Sequence, residues 1–344
     1  MAEGAGVGKN DKIKNIFRAF ESRNYRLYFA GQGISLIGTW MQQTAMSWIV
    51  YRLTGSLVLL GVVSFAGQIP AFLLSPVAGV LSDRLNRHRV LLATQTFEML
   101  QAFALWMLVV TNSVQVWHII ALAVFLGIVS AFDMPTRQAF TAEMIEKREH
   151  LGNAIALNSA MFNGARLIGP SVAGIAIAVV GEATCFLMNA ISFVAVIIAL
   201  LAMRIKPKEK AIKTSKMLQG LNEGFSYAFG NPGIRSVILL FALVSLVGMP
   251  YAVLMPAFAR DVLHGGPETL GFLMAATGAG AVIGAIILAA RKDVTGLEKI
   301  IPATTAIFGV GVVLASFAKS IFAAIPLLIL AGFGIMVQMA ATNT

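Results

Sequence analysis

The chain has 344 residues, 58% of them hydrophobic and only 12% charged, with a formal net charge of +10 and a mean hydropathy of +0.80. A soluble domain carries about a quarter charged residues, so these values exclude an ordinary water-soluble enzyme and specify an integral membrane protein. The basic residues lie between apolar runs rather than on a separate basic domain, which suits a membrane surface and orientation signals and gives no reason to expect a nucleic-acid partner.

Residues 1–26 lack the basic, apolar and cleavage regions of a signal peptide. They read as a cytoplasmic lead-in, with Ile13, Ile16, Phe17 and Phe20 suggesting a short surface helix. Ten apolar runs follow, at 27–50, 57–81, 90–111, 115–136, 151–180, 183–203, 236–259, 269–290, 300–318 and 320–342. Each approaches the roughly 20 residues that a spanning helix needs. Their continuous apolarity, without period-two alternation, selects helices over barrel strands. With the N-terminus inside the cell, 22 of the 26 Lys and Arg residues fall on the cytoplasmic side. Arg52, Arg260 and Lys319 lie opposite and Arg166 lies within a span. The basic-residue rule therefore predicts a multi-pass protein of the cytoplasmic membrane with a cytoplasmic N-terminus.

The organisation expected is an N-terminal six-helix bundle at 27–203, a cytoplasmic linker at 204–235 and a partial four-helix bundle at 236–344. Within the linker, Leu218, Leu221, Phe225 and Phe229 share a helical face, which reads as a surface helix or as part of a charged, disordered connection. The tenth span ends without the basic flank that follows the other inward-going spans, as if two closing helices were missing. Matching inner loops after the second and eighth spans, Gly79 to Arg84 and Gly284 to Asp293, hint at an internal repeat of the kind found in secondary transporters.

The inner loop GVLSDRLNRHR holds Gly79, Asp83, Arg84, Arg87 and Arg89. The arginines alone could serve as a topological anchor. An acid at the membrane edge additionally needs a partner or a helix N-terminus. The loop resembles the signature G-x-L-x-D-R-x-G-R of the major facilitator superfamily, with Asn86 where a Gly is usual; Asn tolerates a left-handed turn. TWMQQTAMSWIVYRLTGS (39–56), AFDMPTRQAF (131–140) and NAIALNSAMFNGARLIGP (153–170) resemble the branch containing enterobactin exporters and macrolide-efflux-type drug:proton antiporters. The resemblance covers essentially the whole chain. It implies an all-α major facilitator fold of two pseudo-symmetric six-helix bundles, ten spans being present and the last two helices missing. It also implies alternating access, with the signature loop as a gate, export of a small molecule and exchange for protons. Import of a nutrient, or a non-transporting scaffold, stands as the alternative.

Charged groups within the spans are Glu98, Asp133 and Arg166. Their cost in lipid turns them toward the bundle interior or an aqueous cavity. Arg166 lies midway along the fifth span, with Ser159, Asn163 and Pro170 at helical spacing; it either meets an anionic substrate or a proton-carrying acid, or forms a structural ion pair. Asp133 precedes Pro135 and Arg137, forming either a proton site or a static Asp–Arg clamp. Glu98 is a second proton candidate, or a packed carboxyl hydrogen-bonded to Gln95 or Gln101. Gln32, Ser35, Thr39 and Gln42 or Gln43 make a polar stripe on the first span, for cavity lining or interhelical hydrogen bonds. Met46, Phe241, Met249, Tyr251 and Met255 would supply an adaptable apolar wall. Gly169, Pro170 and Gly174 resemble the fifth-helix antiporter motif, with Ala173 in place of a Gly, and equally suit close helix packing. TGAGAVIG (277–284) reads as packing. His118 has no partner at metal-ligand spacing, and no P-loop or hydrolase motif occurs, so neither metal nor cofactor nor enzymatic activity is expected. The partners expected are a small-molecule substrate, protons and membrane lipid, with the chain acting as a monomer.

Overall fold

A chain this apolar, with its proline and glycine spread through the runs, can satisfy its backbone in lipid only by intrahelical hydrogen bonding. The computed structural model describes residues 17–205, 226–227, 229–248, 250–289 and 297–342, and helices dominate them. They are α1 (Arg23–Thr54), α2 (Leu57–Arg84), α3 (Arg87–Val110), α4 (Val116–Met144), α5 (Leu151–Val180), α6 (Glu182–Ala202), α7 (Pro232–Leu243), α8 (Pro250–Ala257), α9 (Pro267–Ala289), α10 (Leu297–Ser316) and α11 (Ile321–Thr342). Among the described residues, eight helical stretches are long and apolar enough to cross a membrane, Pro232–Val262 counting as one; α1 and the apolar stretch 300–316 of α10 are not among them. Bulky side chains such as Phe72, Val179 and Phe322 are fully outward, as a lipid-facing surface requires.

Short connections force neighbouring helices to alternate in direction. We call the face from which α1 starts the near face and its opposite the far face. Two departures from the expected spans have simple causes. The seventh run is one candidate span, Pro232–Val262, but its winding is not α-helical throughout. Wider π-type turns occupy Val244–Gly248 and Phe258–Val262, flanking α8. Pro250 and Pro256 remove backbone donors on either side of that region, and a helix absorbs such a loss by locally widening. The fourth run does not stop at 136: α4 continues to Met144 with Pro135 inside it, so Arg137 belongs to the helix rather than to a loop.

The turn after α2 is also unlike the expected left-handed one. Asn86 has φ −76° and ψ 107°, and its side-chain oxygen accepts from the Arg89 amide at 3.2 Å. It caps the N-terminus of α3 in extended conformation, a role that Asn fills as well as any residue. At the near face a 3₁₀ turn, Arg18–Glu21, follows Phe17. Its Ala19 amide donates to Asn153 at 3.0 Å, docking the lead-in onto the start of α5. Ile13 and Ile16 lie outside the described residues, as do Leu218, Leu221 and Phe225.

Helices α1–α6 pack as one set and α9–α11 as another, α7 and α8 being counted with the second by chain order. The sets meet chiefly where α5 runs against α9. Glycines allow this approach: a Cβ on Gly174 would stand 2.7 Å from the Pro267 carbonyl oxygen and 3.0 Å from the Gly271 Cα. Small residues bring backbones together in lipid, where dispersion has to do what the hydrophobic effect does in water.

Candidate functional site

Three buried apolar clusters show how the two sets join. One contains Met41, Ala45 and Tyr51 of α1, Leu60 of α2, Ile177 of α5, Met255 of α8, Leu270 and Leu273 of α9 and Leu328 of α11. All are far-side residues, and they come from both sets. A second, around Tyr25, Leu91, Phe140, Met144 and Leu200, lies on the near side and draws only on the first set. The third, Val244, Phe308, Ala331 and Ile335, draws only on the second. Among the described residues, buried apolar packing thus seals the two sets together on the far side alone. Polar contacts reinforce that seal. The Tyr51 hydroxyl donates to Asp261 across the junction, and Thr44 Oγ1 lies 3.7 Å from Met274 Sδ.

Arg166 lies just below this seal, at mid-depth. Here α5 and α9 touch: a Cβ on Gly278 would fall 2.9 Å from the Arg166 carbonyl oxygen and 2.7 Å from the Leu167 Cα. The guanidinium carbon stands 5.7 Å from the centroid of the Trp40 ring of α1. Tyr251 of α8 lies within electrostatic reach of Arg166 and of Thr277 of α9. Further rings extend the wall, Phe162 against Trp40 at 5.7 Å and Phe308 against Tyr251 at 5.8 Å. Side chains of α1 and α8 therefore approach the guanidinium, and α9 packs on the backbone that carries it. Among the described residues no carboxylate forms an ion pair with it. Of its expected neighbours, Asn163 is buried and donates to the Ser159 carbonyl of its own helix at 2.8 Å.

A second polar cluster lies wholly within the first set, between α3 and α4. Asp133 accepts from Thr94 Oγ1 at 2.8 Å and from Gln95 Nε2 at 2.9 Å. Its other oxygen takes the Arg137 guanidinium one helical turn away. Gln95 Nε2 also reaches Glu98 Oε2 at 3.1 Å. Glu98 and Asp133 are both buried. Sequence alone treats these acids separately. The structure brings them together through Gln95, whose spacing of three from Glu98 was the available signal. The partner of Asp261, by contrast, had no signal: Tyr51 is 210 positions away.

The first-helix stripe divides. Gln32 and Ser35 are buried, whereas Thr39 and Gln43 are exposed. The buried amide at the next position, Gln42, donates to Gln101 Oε1 at 2.8 Å and accepts from Asn189 at 2.9 Å. Of the antiporter-like residues, Gly169 packs on α1, where a Cβ would meet the Trp40 Cβ at 2.5 Å. The Pro170 carbonyl and Gly174 abut Gly271. In the signature loop, Arg87 donates to Glu143 of α4 at 2.6 Å and Arg84 is exposed. No atom lies within 4 Å of a Cβ built on Gly79. The Asp83 side chain, Met249, Arg291, Lys292 and Asp293 fall outside the described residues. Met255 is buried in the far seal and Phe241 is exposed.

Two helical sets closed around a mid-membrane polar site define a multi-pass membrane transporter. The family profile described as transmembrane secretion effector matches residues 15–344, so the chain belongs to that family of the major facilitator superfamily. It is 26% identical over 286 residues to the staphyloferrin A transporter of Staphylococcus aureus, covering 83% of this chain and 72% of that one. It is 26% identical to the multidrug efflux pump Tap of Mycolicibacterium fortuitum, over 75% of this chain and 63% of that one. It is 23% identical to macrolide efflux protein A of Streptococcus pyogenes, over 84% and 72%. The fold is also that of two solved structures. A bacterial homolog of the human lysosomal transporter Spinster, inward-facing and unoccupied, superposes with a TM-score of 0.62 at 15% identity, covering 93% of this chain and 74% of that one. A bacterial homologue of the iron transporter ferroportin, in an inward-facing state, gives 0.66 at 16%, covering 93% and 82%.

Proposed function

We propose that this chain exports a small organic molecule across the cytoplasmic membrane by alternating access, using inward proton movement as the driving force. The carrying observation is the asymmetric closure: buried apolar residues join the two sets on the far side, directly above Arg166. With the near face cytoplasmic, as the basic-residue bias argues, this is an inward-open state that admits solute from the cell interior. Ten spans then cross the membrane, α1 and α10 included, and 27–203 and 236–344 rock about the α5–α9 junction with 204–235 as their tether. The signature loop, Gly79 through Arg89, serves as the cytoplasmic gate. Thr39 and Gln43 are polar and exposed on a helix enclosed by others, so they face water in the passage rather than lipid. The names of two of the relatives, a multidrug efflux pump and a macrolide efflux protein, support export.

The Asp133, Arg137 and Glu98 cluster is the proton carrier. The cluster holds two carboxyl groups and one guanidinium, so one bound proton brings it to neutrality, which lipid surroundings favour. A proton moving inward gains about 2.3 kcal/mol per 100 mV, enough to sustain a useful outward gradient.

The test uses inverted membrane vesicles containing the protein, an imposed inside-acid gradient, and a panel of anionic, neutral and cationic drugs and dyes. At least one compound should accumulate, and a protonophore should abolish that accumulation. Glu98→Gln or Asp133→Asn should leave the protein folded while removing the response to the gradient. Absence of gradient-driven movement for every compound contradicts the proposal, as does normal coupling in both variants.

A further inference from the structure

The geometry points to the class of molecule carried: an organic anion, its charged group seated on Arg166 and its apolar or aromatic body against Trp40 and Tyr251. The inference rests on the reading above only for the existence of a passage at the junction.

A guanidinium is a fixed positive charge. A fixed positive charge at mid-membrane therefore needs a counter-charge. The other guanidinium within the spans of the first set, that of Arg137, has such a partner in Asp133. Arg166 has an aromatic face, a phenol and no carboxylate among the described residues. A guanidinium over an indole remains half-solvated and keeps in-plane donors free. Those donors match a carboxylate, sulfonate or phosphate in a bidentate fork. The surrounding rings, Trp40, Phe162, Tyr251 and Phe308, supply an apolar wall of the kind that binds flat or branched organic bodies. An organic cation would meet like charge at this point, with no acid among the described residues to compensate it.

The placement also explains how binding could bias the rocking motion. Trp40 and Arg166 belong to the first set, Tyr251 and Thr277 to the second. An anion that draws on groups from both sets has a different affinity for each arrangement of them, which is the requirement for a ligand to shift a conformational equilibrium.

Three probes with one ring system separate charge from shape: 1-naphthoate, 1-naphthylmethanol and 1-naphthylmethylammonium, titrated calorimetrically into the full chain in detergent. Naphthoate should bind about tenfold or more tightly than the other two, the effect of one charge-assisted hydrogen-bonded pair. Arg166→Gln should erase that preference while leaving the alcohol within about twofold, and Arg166→Lys should restore part of it, because ammonium keeps the charge but not the fork. Trp40→Leu should weaken all three probes together. Equal affinities, no binding of any probe at millimolar concentration, or an undiminished naphthoate preference in Arg166→Gln would overturn the inference. If Arg166→Gln fails to fold, the comparison of probes on the unmodified chain decides alone. Because no gradient is involved, loss of anion preference alongside gradient-driven transport sinks only this inference. Anion binding without any transport sinks only the export reading.

Discussion

Gln42 and Gln43 are adjacent in sequence and about 100° apart around α1, and that rotation separates structure from transport. Gln42 is held between Gln101 of α3 and Asn189 of α6, so its loss leaves two buried amides short of a partner. Interhelical hydrogen bonds in membranes contribute about 0.6 kcal/mol each, up to about 1.7. Gln42→Leu is therefore expected to destabilise the protein by about 1–3 kcal/mol, read as an earlier unfolding transition in detergent. Gln43→Leu is expected to stay within about 0.5 kcal/mol of the parent and to act instead on transport rate. The same resolution limit affected the acids. That Glu98 and Asp133 must avoid lipid was legible in the sequence, because charge in hydrocarbon is costly wherever it sits. That one glutamine bridges both depends on how α3 and α4 are rotated against each other, and no local pattern encodes this.

The helices themselves were largely legible, since an apolar run long enough to cross a bilayer has few other options. The fifth run, 151–180, coincides with α5. The seventh run also stands as one candidate span, Pro232–Val262; what hydropathy could not show is its interrupted α-helical winding, because Pro250 and Pro256 remove backbone donors without making the run less apolar. That interruption places Asp261 in a π-type turn opposite Tyr51. If this contact latches the far seal, weakening it should open the seal. In a Cys185→Ser background, a thiol introduced as Leu270→Cys, in the buried far-side cluster, should react slowly with an impermeant maleimide from the far face. Adding Asp261→Asn or Tyr51→Phe should raise that reactivity several-fold, since a hydrogen bond to a charged group contributes about 1.5–3 kcal/mol. Unchanged labelling would show that apolar packing alone closes the junction. Gly174→Leu is a harsher version. Its Cβ meets backbone rather than a yielding side chain, and the expected result is a separated α5–α9 contact with lowered stability.

At the scale of the whole molecule, the account makes the two helical sets rigid bodies that exchange one seal for another around Arg166. The most direct measurement is a pair of spin-label distances on the Cys185→Ser background. One pair, at Glu149 and Asn231, spans the near face; the other, at Ser113 and Ser320, spans the far face; all four residues are exposed. With the protein in its resting state the near pair should be long and the far pair short. On moving between acidic and alkaline buffer, or on adding a transported anion, a second population should grow in which the near distance shortens and the far distance lengthens together. Distances that never change, or that change in the same sense at both faces, would contradict the account.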